Sequence, residues 1–353
     1  MRARAEESLL LAIEGARGRD RRAEARAKVA LSYLRYSTQP LEIAEHRAVA
    51  EEAIQVLGAL DDGLGLARAW DLLAWLDFGQ GQCAAAEAAW ERSIAHARHA
   101  GSTRHELAGL SSLASVAVWG PTPRADAFRR CEDILALVKG HLAGRAVVLG
   151  LLGCLQALGG RFDEARQLVG RRDALFEEIG LRHEWARHAH ADAWIEMLAG
   201  DPVAAERILR RGYETLEGLG GRTQLQVVGS YLARALGLQG RWEEAERLAA
   251  EVEGLDPTGF AEIASARCTR GRAAASLGRI DEGVGLASAG LEMIDSTDFL
   301  LDRADARVDL GEVLRLAGRE DEADALLDEA RRLHEQKGNT VSAARAAARL
   351  VGR

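Results

Sequence analysis

Residues 183 to 194 read HEWARHAHADAW, which places three histidines, two tryptophans and two acids within twelve positions. Histidine and carboxylate side chains ligate zinc and its neighbours, so metal chemistry is the first possibility this stretch raises. A helix presents two ligands on one face when they stand four apart. His183 and His188 stand five apart and diverge by about 140°. His188 and Asp192 do have the i, i+4 spacing, but two ligands leave a coordination sphere incomplete. No metal and no other cofactor is expected.

Other catalytic patterns are equally thin. No GxSxG nucleophile elbow occurs, and none of the three lysines, Lys28, Lys139 and Lys337, stands in the Gly-Lys-Ser/Thr context that lets a phosphate loop hold a nucleotide. Asp305, Asp309 and Glu312 share one helical face, but paired carboxylates without a nearby base read as a solvated surface. The same holds for His96 and His99. Cys83, Cys131, Cys154 and Cys268 lie far apart with no CxxC pair, which points to neither a zinc knuckle nor a disulfide framework. The chain reads as a non-enzyme.

The elements that would position these residues are helices. Apolar residues make up 48% of the 353 positions, aromatic residues only 5%, and five prolines interrupt the whole chain, a mixture that favours helix over sheet. The formal net charge of -8, with no clustered cations, argues against a nucleic-acid partner. No apolar run is long enough for a signal peptide or a membrane span, so a cytoplasmic protein is expected.

A glycine turn followed five residues later by a small residue recurs along the chain. It reads GQCAAA from Gly81, GPTPRA from Gly120, GRFDEA from Gly160, GDPVAA from Gly200, GRWEEA from Gly240, GRIDEG from Gly278 and GREDEA from Gly318, at spacings of 38 to 40 residues. Breaks fall midway between, so each period holds two helices joined by short turns, which forces them antiparallel. The predicted first helices span 19–36, 63–79, 102–118, 142–158, 182–199, 222–239, 258–277 and 298–317. The second helices span 40–58, 82–99, 123–138, 162–178, 202–218, 242–253, 280–294 and 320–336. One domain over 1–353 results: a leading helix at 1–17, an array of about eight hairpins over 19–336 and a capping helix at 340–351. Each hairpin hides its leftover apolar face on the next, with nearest-neighbour contacts and no central core. The small residues Ala86, Ala125, Ala165, Ala205, Ala245, Gly283 and Ala323 mark where helices approach closely.

Trp70, Leu73, Ala74, Gly81 and Ala86 follow an order similar to the tetratricopeptide repeat, at a longer period than its usual 34 residues. Beyond that, GPTP at 120–123 with RCEDIL at 130–135, GDPVAAERILRRGYETLEGLG at 200–220, RADARVDLGEVLRLAGREDEADALL at 303–327 and EQKGNTVSAARA at 335–346 carry a more specific likeness. They resemble the C-terminal repeat region of bacterial signalling proteins that join a cyclase domain, an AAA-type ATPase domain and a repeat array. The resemblance implies an all-α, right-handed superhelical solenoid. It also implies a sensor or interaction module that regulates an attached or associated ATPase or cyclase. The leading helix reads as the second half of a hairpin, which is the expectation for a piece of a longer chain.

In arrays of this kind the position eleven before each small residue lines the concave groove. Here that column reads Trp75, Ala114, Cys154, Trp194, Arg234, Arg272 and Glu312, and four residues earlier stand Asp71, His190 and Ser230 among others. The expected groove therefore offers His190, Trp194, Ser230, Arg234, Arg272 and Glu312, with Trp75 and Asp71 towards the N-terminal end. An aromatic wall beside two guanidinium forks suits a peptide, a partner protein or a small anionic ligand. In the competing arrangement Trp194 packs between hairpins and the arginines pair with acids. A further alternative is an assembly scaffold that self-associates through its terminal helices as a homo-oligomer.

Overall fold

The computed structural model describes residues 2–36, 43–181, 183–219, 222–256 and 258–351. Every regular element in it is an α-helix: α1 (Arg2–Ala16), α2 (Arg21–Tyr36), α3 (Ile43–Ala59), α4 (Gly63–Gly79), α5 (Cys83–His99), α6 (Thr103–Trp119), α7 (Arg124–Leu137), α8 (Leu142–Leu158), α9 (Phe162–Glu178), α10 (Glu184–Ala199), α11 (Pro202–Leu219), α12 (Arg222–Leu238), α13 (Trp242–Glu253), α14 (Phe260–Ser276), α15 (Ile280–Asp295), α16 (Leu300–Leu316), α17 (Glu320–Lys337) and α18 (Thr340–Val351). Pairs α2/α3 through α16/α17 form eight antiparallel hairpins, the solenoid expected from the period. Their bounds fall within three residues of those read from the sequence. Expected helical positions 40–42 and 182 lie outside the described residues.

The turns are set by glycine. Gly81, Gly160, Gly200, Gly240, Gly278 and Gly318 all have φ between 69° and 89°, the left-handed region that closes a helix cheaply only without a Cβ. Gly120 is the exception, with φ -78° and an extended ψ. The third hairpin carries two extra turn residues, and this corrects the expected register. Ala125 is exposed, while Ala127, the fourth residue of α7, takes the buried place that Ala86, Ala165, Ala205, Ala245 and Ala323 hold in their helices. Close approach is tightest where α14 meets α15, where a Cβ on Gly283 would stand 2.7 Å from the Gly271 carbonyl oxygen.

The array is more than a chain of nearest neighbours. One continuous apolar cluster runs from Ala74 to Ala306, with smaller clusters at either end. The C-terminal hairpins also reach back across the superhelix to the turn-side ends of four earlier helices. The Asp298 amide donates to the Gly81 carbonyl at 2.8 Å, and Phe299 meets Phe78 edge to face at 5.5 Å. Lys337 Nζ donates to the carbonyls of Ala117, Gly120 and Thr122 at 3.0, 2.7 and 2.7 Å. Thr340 donates to Leu158 at 3.3 Å, and Arg345 donates to Met197 and Leu198 at 3.2 and 2.7 Å. Thus α4, α6, α8 and α10 each end against a donor from residues 298 to 345. Helix C-termini leave carbonyls unpaired and carry partial negative charge, so amide, hydroxyl and cationic donors are suited to them. The superhelix is thereby tied end to end, and its concave side is the lumen.

Candidate functional site

The stretch HEWARHAHADAW forms α10 together with the residue that precedes it, His183. Helical geometry distributes its side chains around three directions. Trp185 points outward under the guanidinium of Arg211, 4.2 Å from the ring centroid. His188 stacks on Phe176 at 5.6 Å and 14°, and Asp192 accepts two bonds of 2.7 Å from Arg172. His188 and Asp192, a pair with metal-ligand spacing, are therefore engaged separately. His190 and Trp194 face inward, where Trp119 lies 6.3 Å from His190 and 5.5 Å from Trp194 between ring centroids. Tyr231 on α12 stands 5.6 Å from His190. Burial lowers the His190 pKa to about 4, which leaves the ring neutral near pH 7.

Below this aromatic wall, α10, α12, α14 and α16 border a small pocket of about 70 Å³. Trp194, Ser230 and Arg234, three residues singled out by the repeat register, line it together with Tyr231, Glu262, Asp302, Asp305 and Asp309. Four carboxylates thus face one guanidinium. Arg234 lies 2.7 Å from Asp309 and 3.4 Å from Asp305, and Arg272 reaches the same Asp309 at 3.2 Å while lying over the Trp242 ring. Burial pushes the Asp302 carboxyl up to about 7, aided by Asp305 and Glu262, and also raises Glu262.

Of the two arrangements left open by the sequence, the arginines follow the one in which they pair with acids. Both are engaged by carboxylates of α16, and a second anion would meet the excess negative charge of the wall. Glu312 is likewise engaged, at 2.7 Å from Arg349 of α18. Asp71 and Trp75 belong to a separate cluster on α4: Trp90 Nε1 donates to Asp71 at 3.0 Å, and the Trp75 ring meets Trp90 and Phe78 edge to face. Burial raises the Asp71 carboxyl to about 6.

Sequence reasoning missed Trp119, Tyr231, Glu262 and Asp302 and assigned Asp305 and Asp309 to a solvated face. A signal for Tyr231 was present, since it stands next in sequence to Ser230, a groove-column position. Glu262 and Asp302 each occupy the third position of their helix, a place where acids are ordinary, and only the superhelix turns them inward.

The fold and the lumen define the class: a superhelical repeat protein of the TPR-like kind. No protein-family model matches the chain, and no curated protein does. Among solved structures it is similar to a Rap protein complexed with competence and sporulation factor, at 13% identity over 93% of this chain and 97% of that one, with a TM-score of 0.54. It is also similar to NprR in complex with its cognate peptide NprX, at 12% identity over 92% and 82% of the two chains, with a TM-score of 0.51. Yeast Tom70 matches at 12% identity over 94% of this chain and 65% of that one, again with a TM-score of 0.51. These likenesses are of fold.

Proposed function

We propose that this chain is a non-catalytic interaction module, acting as one repeat domain, that takes a peptide into its lumen, either free or as a segment of a partner protein. The observation that carries the reading is the inner wall of Trp119, His190, Trp194 and Tyr231. Three of these rings are only half-buried, and together they stand over an open pocket in a superhelix whose ends are tied together. Packing alone would bury such rings between hairpins, and aromatic side chains bordering a concave pocket are what peptide grooves use for contact area. Two of the similar structures are complexes, one with competence and sporulation factor and one with the peptide NprX, which supports the reading by analogy of fold. The motifs GPTP and EQKGNTVSAARA, on which the likeness to cyclase and ATPase regulators rests, touch each other through Lys337. In this reading, occupancy of the lumen shifts that closure and so regulates an attached or associated ATPase or cyclase.

Screening short peptides by tryptophan emission tests the proposal. Trp119→Ala with Trp194→Ala should weaken any peptide found by about tenfold or more, the scale of an aromatic contact site. Binding that survives both changes removes the lumen from the account. A scaffold reading has one observation of its own, the exposed Leu10 and Leu11 on α1. It requires that Leu10→Ser with Leu11→Ser dissolve an oligomer seen by sedimentation.

A further inference from the structure

This inference rests on the lumen being a binding surface and names the chemistry it accepts. Several sheltered carboxylates of the chain pair with guanidinium groups: Asp62 with Arg26, Asp192 with Arg172, Glu253 with Arg267 and Arg270, Asp309 with Arg234 and Arg272. Asp71 and Asp256 are instead held by Trp90 and by Thr223 and Thr258. Glu262 and Asp302 depart from this. Neither has an ion-pair partner among the described residues, and no side chain there donates a hydrogen bond to either carboxylate. Acids of the same kind on other helices, such as Glu282 and Glu322, lie exposed on the outside and are paired with Arg279 and Arg319.

Tyr231, on the facing wall, is influenced by Asp302, Asp305 and Glu262, with Arg234 opposing them. Behind the pocket wall one further group is unsatisfied. His334 is 1% exposed, its Nε2 makes no hydrogen bond, and that atom points at Asp305 Oδ1 from 3.6 Å. Burial lowers the His334 pKa, so the ring does not supply the missing positive charge near pH 7. A pocket with a surplus of carboxylates, an aromatic wall and no free cation lacks its counter-charge.

We propose that the pocket between Trp194 and Tyr231 on one side and Glu262, Asp302 and Asp305 on the other binds a cationic group of the ligand, a guanidinium or primary ammonium. Such a group donates charge-assisted hydrogen bonds to the two unpaired carboxylates and lies against aromatic faces that favour a cation. Its arrival relieves two carboxylates held out of bulk water, an interaction that no anion or neutral group supplies. Arg234 stays with Asp309 and Asp305 and keeps the third carboxylate in place.

The same cation could reach the lumen on a peptide side chain or as a free organic amine, and titration calorimetry separates the two. The probes are Nα-acetyl-L-argininamide, its neutral isostere Nα-acetyl-L-citrullinamide, and the N-acetylated, C-amidated pentapeptides Ala-Ala-Arg-Ala-Ala and Ala-Ala-Cit-Ala-Ala. Each arginine probe should bind the full chain about tenfold or more tighter than its citrulline counterpart, the scale of one charge-assisted bond. Glu262→Gln with Asp302→Asn should abolish that difference, and Glu282→Gln with Glu322→Gln on the outer surface should preserve it. A pentapeptide tighter than the acetylated argininamide identifies a peptide source, and equal affinities a free amine; both support the cation site. Equal binding of arginine and citrulline probes, an arginine preference that survives Glu262→Gln with Asp302→Asn, or no binding of any arginine probe overturns it. A neutral peptide lost with Trp194→Ala but kept by the Glu262→Gln, Asp302→Asn variant leaves the lumen as a binding surface and overturns only the cation site.

Discussion

Lys337 Nζ lies 2.7 Å from the carbonyl oxygen of Thr122, a residue 215 positions earlier in the chain. The amine is fully buried and also holds the carbonyls of Ala117 and Gly120, so the two extra turn residues of the third hairpin create the acceptor set that the last repeat fills. Lys337→Met keeps the apolar stem and removes all three donors. Leaving buried carbonyls unpaired costs about 1–3 kcal/mol. The expected outcome is a lower urea midpoint together with faster amide exchange in α6, α7, α17 and α18. Unchanged exchange in α6 and α7 would show that the closure does not depend on this contact.

The Asp302 carboxyl, raised to about 7 by burial and by Asp305 and Glu262, makes stability fall with rising pH. Between about pH 4 and pH 7 the folded chain holds a proton that the unfolded chain has released, so unfolding is progressively favoured across that window. Below it the contribution is constant, and above it the penalty is complete. Asp302→Asn removes the titration. The variant should match the parent near pH 4 and exceed it at pH 8, with a ceiling of about 4 kcal/mol for a pKa moved from about 4 to about 7. Water in the lumen brings the gain below that ceiling. Thermal melts at the two pH values check it, and a parallel pair of curves would contradict it.

The helices were legible because their signal is local. A glycine turn every 38 to 40 residues and an apolar stripe between turns place eighteen helices to within a few positions. The groove column followed from the same register, and Trp194, Ser230 and Arg234 do line one pocket. What the sequence did not carry was how the superhelix closes. Arg234 meets Asp309 across 75 positions, and Arg349 meets Glu312 across 37. Local patterning holds no record of such partners, so the sequence left open whether the arginines faced a ligand or paired with acids. Ala125 failed for a different reason: two inserted residues before α7 move the helix start without disturbing the glycine period.

Ala127 rather than Ala125 should therefore be the sensitive position in the third hairpin. Ala127 is fully buried, whereas Ala125 is exposed on the first turn of α7. Ala127→Leu forces three extra carbons between close-packed helices and should cost about 1–3 kcal/mol. Ala125→Leu should leave thermal unfolding within about 0.5 kcal/mol of the parent. The reverse order would place the register where the glycine spacing alone puts it.

Arg172 tests how much of the middle of the array depends on one buried charge. Its side chain is 1% exposed, donates to Asp192 through two bonds of 2.7 Å and to Asp173 at 2.7 and 2.9 Å, and packs over Gly150, where an added Cβ would stand 3.1 Å from Arg172 Cδ. On the outer face α9, α10 and α11 diverge around a cleft lined by Asp173, Trp185, Asp192 and Arg211, so apolar packing between the fourth and fifth hairpins is thin there. Arg172→Met removes the counter-charge and leaves Asp192 sheltered and unpaired, which costs about 3–5 kcal/mol by the usual scale for breaking a buried pair. Arg172→Lys restores the charge without the fork that serves both carboxylates, so it should recover only part of the loss. Pairing Arg172→Met with Asp192→Leu removes both charges and should recover more than either single change, because the expense lies in the orphaned carboxylate rather than in the missing bond. Urea unfolding of the four variants measures this. Equal loss in the single and double variants would assign the role of Arg172 to its packing over Gly150 instead.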